Sequence, residues 1–510
     1  MEGVLLLCFA LLVLWIALKI GYAIWWRPRA LGKHLEKQGI RGLPYKILFG
    51  NVKDSNKLTR EAYSRPIELS YRIVPQVIPF FVQTVKAYGK LCVTWFGRTP
   101  RVIVMEPELV KEVLSNKFGH FEKPPPTPLT KLSLLGLAVA EGEKWARHRR
   151  ILNPAFHMEK LKGMVPEFIL SCKEMIARWG KLVGEEGSCE IDVFPELQAL
   201  TADVISRTAF GSSYEEGKRL FQLQQEQPDL VMQAIRNIYI PGFRFLPTEK
   251  NIRSKKIAKE VRAILQNLVQ RREKAIKSGA NNNHDLFCLL LESNNTNDNK
   301  SKMTLDDVVE ECKLFYFAGH ETTSTLLTWT MVVLSMHPMW QQHAREEVMQ
   351  IIGSKTNSPT LDQLAHLKIV TMILHEVLRL YPPVVFLTRQ TYKRVNLGDL
   401  DFPPGVKLAL PILRIHHDRE IWGDDADEFL PERFSEGVSK AAKHPMAFFP
   451  FGWGPRICIG QNFALIEAKM ALAMILQNFS FHLSPSYTHA PHAQVTIHPQ
   501  YGAPIILEKL

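Results

Sequence analysis

The sequence predicts a mainly α-helical fold with a small β region, preceded by a single N-terminal transmembrane helix. Three observations lead to this prediction. An apolar run covers Val4 to Leu18 and resumes from Gly21 to Trp26. A helical pattern runs from Thr304 to Met336, far beyond the mean helix length of about 11–12 residues. The β-like stretches are short, as in the hairpin predicted between residues 91 and 105.

The N-terminal apolar stretch is long enough for one membrane-spanning helix, which needs roughly 20 residues. Trp25 and Trp26 suit the membrane interface, and Arg27 and Arg29 directly after them predict a cytosolic main body. A cleaved signal peptide is the alternative, although no small-residue cleavage site is obvious. We therefore expect residues 1–26 to be an uncleaved anchor, followed by a basic linker.

The composition narrows the class of protein. The chain has 510 residues and a formal net charge of +12, which fits a surface that faces anionic lipid and an acidic partner. Solubility alone is the alternative explanation of this charge. Aromatic and basic residues are not interleaved, so nucleic-acid binding is not expected. The seven cysteines are scattered and odd in number, which favours reduced thiols facing the cytosol over a disulfide framework.

The stretch 448–460 is apolar, carries three glycines, and holds one arginine and one cysteine near its end. A helical pattern from Gln461 to Leu476 follows directly, so Cys458 lies at or just before a helix N-terminus. That position favours the thiolate, because unpaired N–H groups and the helix dipole stabilise negative charge. A buried free cysteine is the ordinary alternative.

The neighbours of Cys458 favour a flat, anionic ligand. Gly454 and Gly460 would let the backbone approach such a group closely, and Arg456 could reach an anion on it. No second cysteine or nearby histidine supplies a zinc spacing. A metal at Cys458 would therefore bring most of its own ligands, as haem iron does when a single cysteine thiolate is its axial ligand.

Two further patterns carry candidate chemistry. Gly319, Glu321 and Thr322 interrupt the middle of the long helical pattern, where small residues could open a groove and the acid and hydroxyl could relay protons. A helix–helix contact that needs a small residue is the alternative for Gly319. Trp145 and Arg149 share one helix face and could bind a carboxylate together, although a solvated basic helix would look the same.

The segment Phe451-x-x-Gly454-x-Arg456-x-Cys458-x-Gly460 resembles the haem-binding loop of the cytochromes P450. The resemblance covers essentially the whole chain after residue 40, through five separate motifs in the order of that family. It implies a P450 fold and a catalytic domain over 51–510, after the anchor (1–26) and linker (27–50). It also implies haem b as cofactor, with Cys458 as axial ligand of the iron.

The resemblance further assigns roles to individual residues. Phe451, Arg456 and Gly460 belong to the haem-binding loop, Trp145 and Arg149 match the helix that holds one haem propionate, and Arg389 has the spacing of a second propionate ligand. Glu321 and Thr322 match the acid–alcohol pair on the distal haem face, where they would supply protons. Glu376, Arg379 and Arg433 match the ion-pair core that this family has behind the haem.

The implied activity is that of a monooxygenase of the endoplasmic reticulum membrane, with its catalytic domain in the cytosol. It would insert one atom of O2 into a small lipophilic substrate, with electrons from NADPH delivered by NADPH–cytochrome P450 reductase. The segments 39–45, 148–157 and 317–323 resemble the plant clan that includes secologanin synthase and 7-deoxyloganic acid hydroxylase. This implies a terpenoid substrate, iridoid or triterpenoid, among plant specialised metabolites or hormones.

Two alternatives stay open at this point. A haem-thiolate isomerase or dehydratase would need neither O2 nor a reductase, and could dispense with the pair Glu321 and Thr322. A non-catalytic haem-binding membrane protein would need no proton relay and no basic surface for a reductase. The sequence contains both the pair and the basic surface charge.

Overall fold

The computed structural model describes residues 1–115, 119–128, 130–133, 136–211, 217–224, 226, 230, 246–278, 286–295 and 302–510. Over these residues the fold is mainly α-helical with small sheets, and it begins with one apolar helix, which confirms the predicted fold class. All seven cysteines lie within the described ranges, and none forms a disulfide.

The helices are numbered in chain order over the described residues. They are α1 Glu2–Gly21, α2 Arg27–Glu36, α3 Val52–Tyr63, α4 Val74–Val77, α5 Pro79–Tyr88, α6 Pro107–Leu114, α7 Thr130–Ser133, α8 Gly142–Leu152, α9 Met158–Val183, α10 Val193–Phe210, α11 Glu249–Lys277, α12 Leu286–Asn295, α13 Leu305–Met336, α14 Pro338–Ile351, α15 Leu361–His366, α16 Lys368–Leu380, α17 Ile412–His416, α18 Arg419–Trp422 and α19 Gln461–Asn478.

The strands are short. They are β1 Leu91–Phe96, β2 Thr99–Val104, β3 Phe121–Glu122, β4 Ser188–Asp192, β5 Leu387–Thr391, β6 Val395–Leu397, β7 Leu400–Phe402, β8 Lys407–Leu410, β9 Phe479–Leu483, β10 Pro491–Ala493, β11 Ile497–Pro499 and β12 Pro504–Lys509. In the described part, the largest sheet has the order β1-β2-β8-β5-β3, in which only β2 and β8 are parallel. The predicted hairpin at 91–105 is therefore confirmed as β1 and β2.

The N-terminal apolar segment forms one continuous helix, Glu2–Glu36, in which the turn Tyr22–Trp26 is a π-helix. By length and composition this helix could cross a membrane, and its apolar part is not buried in the protein. The hydroxyl of Tyr45 donates to the carbonyl oxygen of Ile24 at 2.7 Å. The base of this helix is thus tied to the chain that enters the main body.

The stretch 27–50, expected as a linker, packs against the main body. It contains α2, and Leu35 and Ile40 are buried. Gly42 lies so close to β1 that a Cβ there would come within 2.0 Å of the Val93 carbonyl oxygen. The division of the chain at residues 26 and 50 stays a prediction, but this stretch is not a free tether.

Helix α13 runs through the protein core and begins and ends where its sequence signals predict. Thr304 and Asp307 form a capping box, and His337 ends the helix before Pro338. A Cβ on Gly319 would lie 2.6 Å from the Ile205 side chain of α10. Gly319 therefore serves the close contact of α10 with α13, which is the alternative given above to an open groove.

Candidate active site

The loop before α19 closes on itself around Cys458. The Cys458 backbone N–H donates to the Phe451 carbonyl oxygen at 2.8 Å, and Gly452 and Gly454 have φ of 75° and 67°. Only glycine adopts these angles without strain. A Cβ on Gly454 would lie 2.4 Å from the Leu114 carbonyl oxygen, so the loop also lies directly against the end of α6.

The surroundings of the Cys458 thiol show both exposure and burial. Its side chain is exposed, yet burial raises the pKa of the thiol, while the Gly460 amide and Arg149 lower it. Both observations hold if the sulfur faces internal space lined by protein atoms. The Gly460 amide lies at the N-terminus of α19, as the sequence predicts, and favours the thiolate there.

Trp145 and Arg149 do share α8, but they contact different parts of the cysteine loop. Arg149 donates to the Ile457 carbonyl oxygen at 2.8 Å, one residue before Cys458. The buried Trp145 ring lies 4.2 Å from the Arg456 guanidinium carbon and lines a cavity of about 230 Å³. Arg149 is thus in contact with the loop itself, whereas Trp145 faces the cavity.

Arg389 and Arg456 line this same cavity. Arg456 donates to the Ala140 carbonyl oxygen at 2.7 Å and pairs with Glu141. Arg389 is buried, and its only hydrogen bond among the described residues goes to the neighbouring Thr388 carbonyl oxygen. Burial and the charge of Arg456 lower the pKa of Arg389 to about 10.

Positive charge exceeds negative charge around this cavity. Burial, together with Arg389 and Arg456, lowers the pKa of Lys123 from 10.5 to about 7. Two carboxylates, Glu122 and Glu141, also line the cavity, and Glu141 offsets part of the effect on Lys123. With Arg149, which also lowers the Lys123 pKa, four cations face these two carboxylates. Crowded cations that depress one another's pKa favour an anionic ligand. The residues present therefore fit haem, with a thiolate ligand in the loop and cations for two propionate groups beside it.

Glu321 and Thr322 lie side by side on α13. The Thr322 hydroxyl donates to the Ala318 carbonyl oxygen one turn earlier, at 3.0 Å. The buried Glu321 carboxylate is held from outside its helix, by the Thr496 hydroxyl at 2.7 Å and His498 Nε2 at 2.6 Å. Burial alone would raise the pKa of Glu321, but His498, with help from His320 and Thr496, lowers it to about 2.

The predicted ion-pair core behind the loop is present. Glu376 and Arg379 form a two-pronged pair with both N···O distances at 2.7 Å, and both side chains are fully buried. Arg379 also donates to the carbonyl oxygens of His416, Ala426 and Glu428. Arg433 lies 3.6 Å from Glu376 and closer, at 2.7 Å, to Asp425.

Comparison with known proteins decides the family. The family model described as "Cytochrome P450" matches residues 74–500. The chain belongs to the cytochrome P450 family. Like other P450 enzymes it is an oxygen-inserting oxidoreductase, and the family binds haem through a cysteine ligand to the iron.

Plant relatives match this P450 along its whole length. It is 57% identical to cytochrome P450 CYP72A616 of Paris polyphylla, over 100% of this chain and 99% of that protein. It is 53% identical to cytochrome P450 72A15 of Arabidopsis thaliana (96% and 95% covered) and 51% identical to 11-oxo-beta-amyrin 30-oxidase of Glycyrrhiza uralensis (99% and 98%). These relatives place the chain among the plant CYP72 P450s.

Three site residues of this P450 were missed by the sequence analysis. Glu141 pairs with Arg456 from 315 positions away, and His498 reaches Glu321 from 177 positions away. Lys123 joins the cation cluster from the chain just after β3. Each is a single polar residue that belongs to no periodic pattern and to no motif. Nothing in the local sequence therefore distinguishes it from a surface residue.

Proposed function

We propose that this P450 is a haem-thiolate monooxygenase anchored in the endoplasmic reticulum membrane. It inserts one oxygen atom from O2 into a terpenoid, an iridoid or triterpenoid, and receives electrons from NADPH through NADPH–cytochrome P450 reductase. The supporting observation for the chemistry is the cysteine loop beside an excess of buried cations. The supporting observation for the substrate is a relative whose name describes oxidation of a β-amyrin triterpenoid.

In this proposal the protein residues hold the cofactor, and haem supplies the iron at which O2 is activated. Cys458 would be the cysteine ligand to the iron, in a loop shaped by the bond to Phe451 and by the Gly460 amide. Arg389, Arg456 and Trp145, which line one cavity, would bind the propionate groups. Arg149 secures the loop through Ile457 and keeps its other N–H groups for a propionate.

On α13, Glu321 and Thr322 would accept and pass on protons. The Thr322 hydroxyl, whose proton bonds to Ala318, offers its oxygen to a proton donor. Glu321 is ionised at neutral pH because its pKa is about 2, so it can accept a proton and pass it on. An isomerase or dehydratase would have no use for this pair, and the family assignment also favours monooxygenation.

The first experiment measures product formation by microsomes that contain this chain and a plant reductase, with and without NADPH. The substrates are a panel of iridoid and triterpenoid acids, and the reduced carbon-monoxide difference spectrum is recorded on the same sample. The proposal predicts NADPH-dependent turnover of at least one panel member. A thiolate spectrum without any turnover would contradict the terpenoid assignment, while a missing spectrum in haem-loaded protein would contradict the haem-thiolate site.

The proton role is tested with Thr322→Ala and a matched control, Thr330→Ala. Thr330 lies on the same helix and makes the same type of bond, to the Leu326 carbonyl oxygen at 2.7 Å. We expect Thr322→Ala to consume NADPH with a lower yield of product, while Thr330→Ala keeps the wild-type ratio of product to NADPH. Equal ratios in both variants would contradict a role of Thr322 in proton supply.

A further inference from the structure

The Glu321 carboxylate is bound by the hairpin β10–β11 near the C-terminus. Its Oε1 accepts hydrogen bonds from the Thr496 hydroxyl at 2.7 Å and from His498 Nε2 at 2.6 Å. Thr496 and His498 also lie 2.7 Å apart, so the three groups form a closed triangle. The Thr325 hydroxyl approaches Thr496 at 3.3 Å and ties the triangle back to α13.

The His498 side chain is more exposed to solvent than the Glu321 carboxylate that it contacts. The Glu321 side chain is 6% exposed, whereas that of His498 is 12% exposed. In the described part of the chain, His498 Nδ1 has no protein hydrogen-bond partner, and it is not a buried atom. The imidazole therefore has one nitrogen on the carboxylate and the other available to water.

We propose that His498 is a positioning residue that holds Glu321 ionised and supplies it with protons from the side of the β10–β11 hairpin. This inference rests on the proposed role of Glu321 in the reaction. When Nδ1 takes up a proton from water, the proton on Nε2 can move along the hydrogen bond to Glu321 Oε1. The imidazole is then neutral, with its remaining proton on Nδ1, and exchange with water restores the first tautomer.

The groups around the pair are consistent with this role. His320 Nε2 lies 3.8 Å from Glu321 Oε2, but His320 is buried, its pKa is lowered by burial, and its Nδ1 bonds to the Tyr316 carbonyl oxygen. His492 on β10 lies edge-on to the His498 ring at 6.1 Å. From α10, the ring against His498 is Phe194, which does not titrate. His498 is thus the imidazole that is both bonded to Glu321 and accessible.

The protonation state of Glu321 gives a test that is independent of turnover. We expect wild-type protein at neutral pH to show no infrared carbonyl stretch of a protonated Glu321. His498→Gln keeps a hydrogen-bond donor but removes the imidazole, whose interaction lowers the Glu321 pKa, so burial should raise that pKa and the band should appear. The band should be absent from the double variant His498→Gln/Glu321→Gln. Absence of the band in His498→Gln itself would overturn the inference.

The second readout is the ratio of product to NADPH consumed across a range of pH. We expect His498→Gln to lower this ratio about tenfold at neutral pH, which is a smaller loss than that caused by removing a group that transfers the proton directly. The variant should also change the pH profile of the ratio. Thr496→Val, which leaves the imidazole in place, should lower the ratio less and keep the wild-type pH profile. His482→Gln, an exposed histidine on β9, should match wild type.

The outcomes separate this inference from the proposed function. If Glu321→Gln lowers the product ratio but His498→Gln leaves both the ratio and its pH profile unchanged, the role of His498 is wrong and the proposed function stands. If Glu321→Gln has no effect on the ratio, the proposed role of Glu321 is wrong. A normal reduced carbon-monoxide spectrum in each variant shows that the haem site is intact, so a loss of folding cannot explain either result.

Discussion

Arg149 on α8 donates a 2.8 Å hydrogen bond to the carbonyl oxygen of Ile457, the residue directly before Cys458. The proposed propionate ligand is therefore also a structural support of the cysteine loop. Arg149 additionally lowers the pKa of the Cys458 thiol through its charge, against the raising effect of burial. One side chain thus influences both the position and the ionisation of the proposed ligand.

Arg149→Gln should reduce haem retention because it removes a charge beside the thiolate and weakens the bond to the loop. We expect a lower ratio of haem to protein after purification, and a larger fraction of protein with a thiol rather than thiolate spectrum. The control is Arg150→Gln, which removes an exposed cation from the next position. Equal haem content in the two variants would show that Arg149 does not support the loop.

Gly454→Ala should prevent correct closure of the cysteine loop. Its Cβ would lie 2.4 Å from the Leu114 carbonyl oxygen, and its φ is 67°. The matched control is Gly437→Ala, which has φ of 89° but open space around the new Cβ. Backbone strain at such angles costs about 1–3 kcal/mol, so Gly437→Ala should lower the melting temperature and keep haem. If Gly454→Ala also keeps full haem content, the close contact with α6 is not needed.

Removing one partner of the Glu376–Arg379 pair should destabilise the fold severely. Breaking a fully buried ion pair costs about 3–5 kcal/mol because the remaining charge stays buried. We expect Glu376→Gln to show little folded, haem-loaded protein on expression. The comparison is Lys440→Ala, which breaks an exposed pair with Glu436 and should cost no more than about 0.5 kcal/mol. Similar yields of the two variants would refute the structural role of the buried pair.

Glu467 on α19 should make the protein less stable as pH rises. The side chain is buried, and neither carboxylate oxygen has a hydrogen-bond partner with good geometry among the described residues. Burial raises the pKa of Glu467 well above 4.5, and the Thr323 hydroxyl offsets only part of this effect. The folded state therefore holds a proton that the unfolded state releases above its own pKa.

The sign of the pH effect follows from this difference. Between the unfolded and folded pKa values, the folded state binds more protons, so the free energy of unfolding falls by about 1.4 kcal/mol per pH unit from this group. Glu467→Gln keeps the shape of the neutral acid and should flatten the fall in melting temperature that begins as pH rises above the ordinary carboxyl pKa of 4.5. An unchanged pH dependence would show that Glu467 is not buried as a neutral acid.

The elements that the sequence predicted well carry their own boundary signals. Helix α13 has a capping box at Thr304 and a proline after His337, and the helix after Cys458 begins behind a glycine, so both appear where expected. The stretch 27–50 was expected to be a linker because it contains Gly39, Gly42 and Pro44, but it packs against the main body. Its packing depends on contacts with β1, which local composition does not report.

The candidate site was only partly predicted, because the local sequence does not report contacts between distant parts of the chain. Cys458, Arg456 and Gly460 belong to one local motif, and the structure places them in one loop. The partners of Arg456 and Glu321 come from distant parts of the chain as single residues, and only the fold brings them together. For Gly319 the sequence allowed two interpretations, a groove and a helix–helix contact, and the structure supports the contact, with Ile205.

The most direct test of the account is the reduced carbon-monoxide difference spectrum of haem-loaded wild-type protein and of Cys458→Ser. We predict a thiolate-type spectrum for the wild type and its complete loss in Cys458→Ser. The control is Cys189→Ser, at a half-buried thiol outside the loop, and its spectrum should match that of the wild type. A thiolate spectrum that persists in Cys458→Ser, or that is absent from haem-loaded wild-type protein, would contradict the assignment of Cys458 as the haem ligand.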